Sequence, residues 1–186
     1  ACLEAGVSYI DMGGLFHTTR KQLELGERYA QAGISAVLGM GSAPGVPNVQ
    51  TRYAADQLDT IESIRIYDGV KPPPPDDVRF TYAAPTIVDE MTLAPMVYRD
   101  GEFVAFEPLS EFEDYWFTSP LGLLPMHLSL HSEVATLPIT FADKGVRECF
   151  FKINYWGLSE EALLKIKLFA DVGLAQSDTR AARDQL

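Results

Sequence analysis

Two of the chain's three histidines, His127 and His131, share one short run with Glu133. Residues 126–134 read as a strictly alternating strand. Met126, Leu128, Leu130 and Ser132 would face one way, and His127, Ser129, His131 and Glu133 the other. Same-face neighbours at that spacing stand about 6–7 Å apart, so His131 and Glu133 can converge on one small group. Such a pair can relay a proton or ligate a metal. A metal needs at least one more ligand, which the spacing does not name, so none is assigned. A solvated strand face is the plain alternative.

Two cations and one acidic pair also stand out. Lys152 interrupts an apolar strand at Phe150-Phe151-Lys152-Ile153. An unpaired buried ammonium is costly, so Lys152 must lie at an edge, be paired, or hold an anion. With Arg147 it is a candidate contact for a substrate carboxylate. Asp89-Glu90 reads as a solvated loop or helix start. Glycine turns form the last constellation: Asp11-Met12-Gly13-Gly14 and Gly39-Met40-Gly41-Ser42 each follow a short strand. In open α/β sheets ligands bind at the carboxyl ends of the strands, and glycine lets the backbone approach closely. Ordinary tight-turn chemistry explains such glycines equally well.

The elements that must position these groups fall into two parts. Residues 1–6 end a helix at Gly6. Residues 7–12 and 34–39 read as short buried strands of the parallel kind. A helix over 18–32 lies between them, weakened by Gly26. Another helix follows Pro47, with Val46, Val49 and Tyr53 as its stripe. That rhythm is the end of a Rossmann-type parallel sheet, residues 1–60. From residue 61 the period changes to two. A strand over 62–67 precedes the loop Lys71-Pro72-Pro73-Pro74-Pro75-Asp76-Asp77, which suits polyproline conformation. A hairpin turns at Asp100-Gly101, and residues 147–155 alternate again. Ser159 caps a last helix with Leu164, Leu168 and Val172 as its stripe, stopped by Gly173. The expected fold class is therefore α/β. The end of a parallel sheet is followed, over 61–175, by an α+β domain with a mostly antiparallel sheet. A polar tail covers 176–186.

Composition limits the partners. Apolar residues make up 47% and charged residues 22% of 186 residues, with a net charge of −11. That field repels phosphate backbones and anionic lipid, so neither nucleic acid nor membrane is an expected partner. No run approaches the roughly 20 apolar residues of a membrane span. Cys2 and Cys149 have no CxxC or Cys/His ligand spacing and read as reduced thiols of a cytoplasmic protein. The chain opens mid-helix without Met, so it reads as a piece of a longer protein.

The motifs taken together resemble the saccharopine dehydrogenase-like family, from residue 1 to about 175. The resemblance rests on Glu4–Gly14, on Gly41-Ser42-Ala43-Pro44-Gly45-Val46-Pro47-Asn48, on His131-Ser132-Glu133-Val134-Ala135-Thr136-Leu137-Pro138, and on Lys144-Gly145-Val146-Arg147. It implies hydride transfer between NAD or NADP and a carbon attached to nitrogen, in a full-length parent that is a homodimer. Substrates of the family are amino acids or amines. The GxGxxG turn of the family does not occur here, so the chain alone is expected to be inactive and to bind the cofactor weakly. The resemblance implies cofactor contacts at Gly13, Gly14, Gly41, Ser42 and Ala43. Substrate contacts are expected at Asp11, Ser132, Thr136, Arg147 and Lys152, and proton chemistry at His131 and Glu133. Saccharopine reductases carry a substrate-contacting aspartate where this chain has Ala43. That departure leaves a non-catalytic ligand-binding or dimerisation module of the same fold as the alternative. The enzyme reading requires the His131 side of the second domain to open toward the two glycine turns.

Overall fold

The computed structural model describes residues 1–71, 82–155 and 158–172. Helix α1 (Cys2–Ala5) stops at Gly6, whose φ of 66° lets its N–H turn back to the carbonyls of Cys2 and Leu3. Strand β1 (Tyr9–Ile10) follows. The expected single helix is two, α2 (Phe16–Leu23) and α3 (Gly26–Gln31), so Gly26 opens the second helix instead of weakening one. Strand β2 (Ala36–Val37) pairs in parallel with β1. Both strands are shorter than the runs 7–12 and 34–39; among the described residues each pairs only with the other, and Ile10 and Val37 are exposed.

Helix α4 (Val46–Ala55) has Pro47 in its first turn, and the Asn48 side chain accepts a hydrogen bond from the Gly45 N–H at 3.0 Å. Its expected stripe is a correction. Val46, Val49 and Tyr53 are exposed, and Ala55 is the buried residue of the helix.

The second part begins with β3 (Ser63–Asp68), one residue beyond the expected start. The polyproline stretch from Pro72 lies outside the described residues. Next come α5 (Ala84–Thr92), β4 (Met96–Arg99) and β5 (Glu102–Ala105). The β4–β5 turn is as read. Asp100 and Gly101 have φ of 50° and 94°, both left-handed, which a two-residue hairpin requires. Then follow β6 (Glu113–Trp116), β7 (Leu123–Leu128), α6 (Glu133–Thr140), β8 (Glu148–Ile153) and α7 (Glu160–Asp171). The family-sized architecture is the expected one: α/β, with a small parallel sheet and a larger, mostly antiparallel one.

Strand β8 is the hub of the larger sheet. One edge pairs in parallel with all of β3, from Ser63↔Glu148 to Asp68↔Ile153. Two antiparallel partners share the other edge, β4 at Cys149 and Glu148 and β7 at Ile153 and Lys152. The alternation of residues 147–155 is kept, but β8 is covered on both sides. Cys149 and Phe151 join the main core with Val134 and Ala135 of α6, while Phe150 packs on the opposite face near Tyr67.

The strand expected over 126–134 ends at Leu128, and Glu133 opens a helix. Burial decides this. Val134, Ala135 and Leu137 pack into the core beside β8, and a helix presents all three where an alternating strand could not. In α7 the Ser159 hydroxyl accepts from the Ala162 N–H at 3.2 Å, as a cap should. The helix is rotated from the expected phase: Leu164, Leu168 and Val172 are exposed and Leu163 is buried. Gly173 and the tail 176–186 lie outside the described residues. Phe16 of α2 and Ala55 of α4 belong to the same core cluster as Ile64, Met91 and Phe151, so one core joins both parts. Among the described residues no helix is long and apolar enough to cross a membrane.

Candidate functional site

A cavity of about 740 Å³ opens where the two parts meet. Gly13, Gly14, Gly41, Ser42 and Ala43 form one wall, and His131 lies in the lining with Asp68 and Glu90. The two glycine turns and His131 therefore converge, although 90 residues separate Gly41 from His131 in the sequence.

The turns are held by Asp11. Its Oδ1 accepts from the Gly13 N–H at 2.9 Å and the Gly39 N–H at 2.8 Å, and its Oδ2 from Gln22 Nε2 at 2.9 Å. Partial burial alone would raise the carboxyl group's pKa. The bonds from Gly39, Tyr9, Gln22 and Gly13 outweigh it and hold the group below the usual carboxylate range. Asp11 was expected to touch substrate. It is instead spent on bracing the turns and is absent from the cavity lining. The glycines are needed by the chain itself. A Cβ on Gly13 would come 2.2 Å from Pro44, and one on Gly41 2.3 Å from the Met12 carbonyl oxygen. Gly14 is different, since a Cβ there would meet only Thr18 at 3.8 Å.

His131 is buried and fixed on three sides. Its Nδ1 lies 2.6 Å from Glu133 Oε2, its ring stacks on Phe151 at 3.8 Å, and its Nε2 lies 3.8 Å from Glu90 Oε1. With Nδ1–H donated to Glu133, Nε2 is left for the cavity. Burial alone would push the imidazole's pKa down. Glu133, then Glu90 and Asp68, override it, and the net direction is upward. Burial pushes the carboxyl groups of Glu90 and Asp68 up. Glu90 also accepts from the Tyr82 hydroxyl, and the Tyr155 hydroxyl donates to the Glu90 carbonyl at 3.1 Å.

The other expected residues are placed as follows. Glu133 is fully buried, and its Oε1 has no hydrogen-bond partner among the described residues; the same holds for the Ser132 hydroxyl. Thr136 lies outside the cavity lining. Its hydroxyl donates to the Glu133 carbonyl at 3.2 Å and accepts from Asn48 Nδ2 at 3.4 Å, tying α4 to α6. Arg147 is 69% exposed and pairs with Asp100 in the hairpin turn. Lys152 is buried, but its Nζ is 2.7 Å from Glu113 Oε1 and 5.1 Å from the Phe150 ring, on the face of β8 away from His131. Neither cation lines the cavity, so the expectation that they hold a substrate carboxylate there is corrected. Sheet parity is the cause: Phe151 carries His131, and its neighbour Lys152 must point the other way. His127 does not join His131 either. Its ring nitrogens contact the Leu109 carbonyl at 3.3 Å and the Glu160 carboxylate at 3.0 Å.

Sequence reasoning missed Asp68, Tyr82 and Glu90. Glu90 had a legible signal: it lies three residues after Ile87 and one before Met91, both buried, so a helix puts it on the inner face. Asp68 ends a parallel strand, the place where α/β sheets bind ligands.

No family model matches the chain. Curated proteins do, two of them as follows. Carboxyaminopropylagmatine dehydrogenase of Synechocystis sp. is 28% identical over 144 residues, which are 74% of this chain and 36% of that protein. Carboxynorspermidine synthase of Vibrio cholerae serotype O1 is 36% identical over 83 residues, 37% of this chain and 20% of that protein. Among solved structures, an apo histidine-tagged saccharopine dehydrogenase (L-Glu forming) from Saccharomyces cerevisiae superposes with a TM-score of 0.62 at 14% identity. It covers 95% of this chain and 40% of that one. The chain thus spans little more than a third of the first relative's length. These matches bear out the resemblance carried by the motifs, and the last of them bears out the fold.

Proposed function

We propose that this chain, saccharopine dehydrogenase-like in sequence and fold, is the substrate-side portion of an NAD(P)-dependent oxidoreductase acting on a C–N bond of an amine or amino acid. The observation that carries the reading is the shared cavity of His131 and the two glycine turns. Hydride chemistry needs the substrate carbon and a proton-handling group in one confined place.

The cavity suits one end of the cofactor. Gly13, Gly14, Leu15 and Pro44 offer backbone and apolar surface for a neutral nicotinamide, and Gly14 leaves room beside it. Among the described residues the lining contains no Lys or Arg and does contain Asp68, Asp89 and Glu90, a set that does not suit the pyrophosphate. When bound, the cofactor supplies or accepts the hydride. The chain's own residues handle the rest. Glu133 holds Nδ1–H of His131 and stabilises the imidazolium, so Nε2 can deliver a proton to the substrate nitrogen as C=N becomes C–N. The upward shift of His131 favours this direction, reduction of the C=N bond. In the oxidative direction the same Nε2 must first lose its proton. Apolar Leu130 and Ile153 in the lining keep water from competing.

The test is an assay of the intact enzyme with NADH or NADPH and an amine paired with a small aldehyde or keto acid. Cofactor oxidation dependent on both partners supports the reading. No turnover with any pair leaves the non-catalytic module, which Ala43 in the family's aspartate position favours.

A further inference from the structure

The proposed reaction takes one proton from His131 Nε2 in each reductive turnover, and that atom is poorly placed to regain it from water. The residue is 8% exposed. Glu133 holds Nδ1 at 2.6 Å, and the Phe151 ring covers one face at 3.8 Å. A substrate beside the nicotinamide would fill the cavity on the remaining side. A proton that returns while the ligands are in place must therefore pass through the protein. Glu90 stands on such a route. Its Oε1 lies 3.8 Å from Nε2, and its Oε2 accepts from the Tyr82 hydroxyl. Tyr82 is 39% exposed and Glu90 is 4% exposed, so the three groups run from the surface inward. The fold fixes the middle member. Ile87 and Met91 are buried on the same face of α5, and the Tyr155 hydroxyl donates to the Glu90 carbonyl at 3.1 Å. Asp68 and Asp89 line the cavity as well. Asp68 acts on the ring through its charge, and Asp89 has a contact of its own.

We propose that Glu90 returns to His131 the proton given up at the substrate, and that Tyr82 connects Glu90 to solvent. The assignment rests on His131 being the proton donor of the proposed reaction, and Glu90 acts through it. The Glu90 carboxyl group gives its proton to Nε2. The carboxylate left behind takes the Tyr82 hydroxyl proton, and the Tyr82 oxygen takes one from water. No electron moves, and the net change is one proton from solvent to Nε2. The 3.8 Å contact is about 1 Å longer than a hydrogen bond, a gap that a small side-chain rotation closes. Burial pushes the Glu90 carboxyl group's pKa up, so it carries a proton closer to neutral pH than an ordinary glutamate does. Burial and the Glu90 charge push the Tyr82 hydroxyl up as well, so it stays neutral and donates one proton only as it accepts another. The groups that face Glu90 are His131, Tyr82, Glu133, Asp68 and Tyr155, with Asp89 beside it on α5.

The experiment is proton NMR of the full chain labelled with 15N-histidine, at a pH where His131 is imidazolium. It reads the rate at which the His131 Nε2 proton exchanges with water. Glu90→Gln keeps the size of the side chain and an acceptor for Tyr82 but has no carboxyl proton to pass on. The expected result is exchange slowed about tenfold or more in Glu90→Gln. Tyr82→Phe, which removes the outer member, is expected to slow it as well, and it is the measurement that decides if Glu90→Gln does not fold. A purely structural role for Glu90 would leave the exchange rate where it is, and a rate unchanged in either folded variant would overturn the relay. Failure of the two readings is distinguishable, because exchange is read without turnover. Slowed exchange in both variants, with no C–N redox activity in the full-length protein, upholds the relay and removes the proposed reaction. Turnover in the full-length protein with exchange unchanged does the reverse.

Discussion

Nδ1 of His131 and Oε2 of Glu133 lie 2.6 Å apart across a loop-to-helix junction, two residues apart in the chain. The junction turns the Glu133 carboxylate back under the ring, while Phe151 stacks on the ring at 3.8 Å. If the proposed function holds, His131→Ala in the full-length protein is expected to lower turnover by roughly 10²-fold, the usual size of a general acid–base contribution. Glu133→Gln keeps the bond to Nδ1 and removes the charge that raises the imidazole's pKa. Its pH–rate profile should move the His131 limb to lower pH with KM little changed. A profile identical to the parent's would assign Glu133 to packing alone.

Stability should follow pH in a way the same groups set. The folded-state pKa values of His131, Glu90 and Asp68 are all raised. Their contribution is fully present below the unfolded values and is lost as pH rises through the folded ones. Asp11 and Glu113 are lowered, so theirs is present above the unfolded values and lost as pH falls through the folded ones. The net charge of −11 adds self-repulsion at high pH. Urea midpoints should therefore peak near about pH 5 and decline toward pH 8. A midpoint that climbs steadily to pH 8 would contradict the assignment.

Asp11 offers a test of the braced turns. Asp11→Ala removes the acceptor of the Gly13 and Gly39 N–H groups and the partner of Gln22. Loss of about 1–3 kcal/mol is expected from two charge-assisted bonds at a partly solvated site. Because Gly13 lines the cavity, the proposed function predicts that KM for the cofactor in the full-length protein rises more than kcat falls. An unchanged urea midpoint would show that the turns stand without the brace.

Local chemistry was legible where a short run decides its own conformation. Asp100-Gly101 reads as a hairpin turn because few other residues accept two positive φ values in succession. The nearness of His131 and Glu133 was also legible, but for a different reason than alternation. A strand would have set the two side chains parallel, whereas the start of α6 brings them into direct contact. Phase was not legible in α4 and α7, since Val49 and Leu164 are as apolar as the residues that are buried, and only the packed partner chooses the face. Nor was the fate of Lys152. Its partner Glu113 lies 39 residues earlier, on a hairpin whose position over β8 no local pattern encodes.

That pairing has its own consequence. Lys152 is 5% exposed and bonded to Glu113, which also accepts from the Tyr67 hydroxyl at 2.9 Å. Glu113→Ala strands a buried ammonium. Partial solvation of Glu113 tempers the penalty for breaking a buried pair to about 2–3 kcal/mol. Replacing both partners, with Lys152→Met and Glu113→Leu, should recover most of the loss. A double variant as unstable as Glu113→Ala would show that Tyr67, rather than Lys152, depends on the carboxylate.

The small parallel sheet leads to the last expectation. Strands β1 and β2 pair only with each other among the described residues, and both expose apolar side chains, Ile10 and Val37. Met12 and Met40 in the turns and Val46, Val49 and Tyr53 on α4 are exposed as well. Scattered exposed apolar residues are normal, but a group gathered around two open strand edges is a surface that other chains cover. The chain is therefore expected to self-associate as its concentration rises, and light scattering should show a mass that grows with concentration. Charge placed on the strands, Ile10→Lys with Val37→Lys, should return it to a monomer without lowering the unfolding midpoint, because neither side chain is in the core. If the double variant associates as the parent does, the contact lies elsewhere, and the exposed edge strand β6 with Trp116 becomes the surface to vary next.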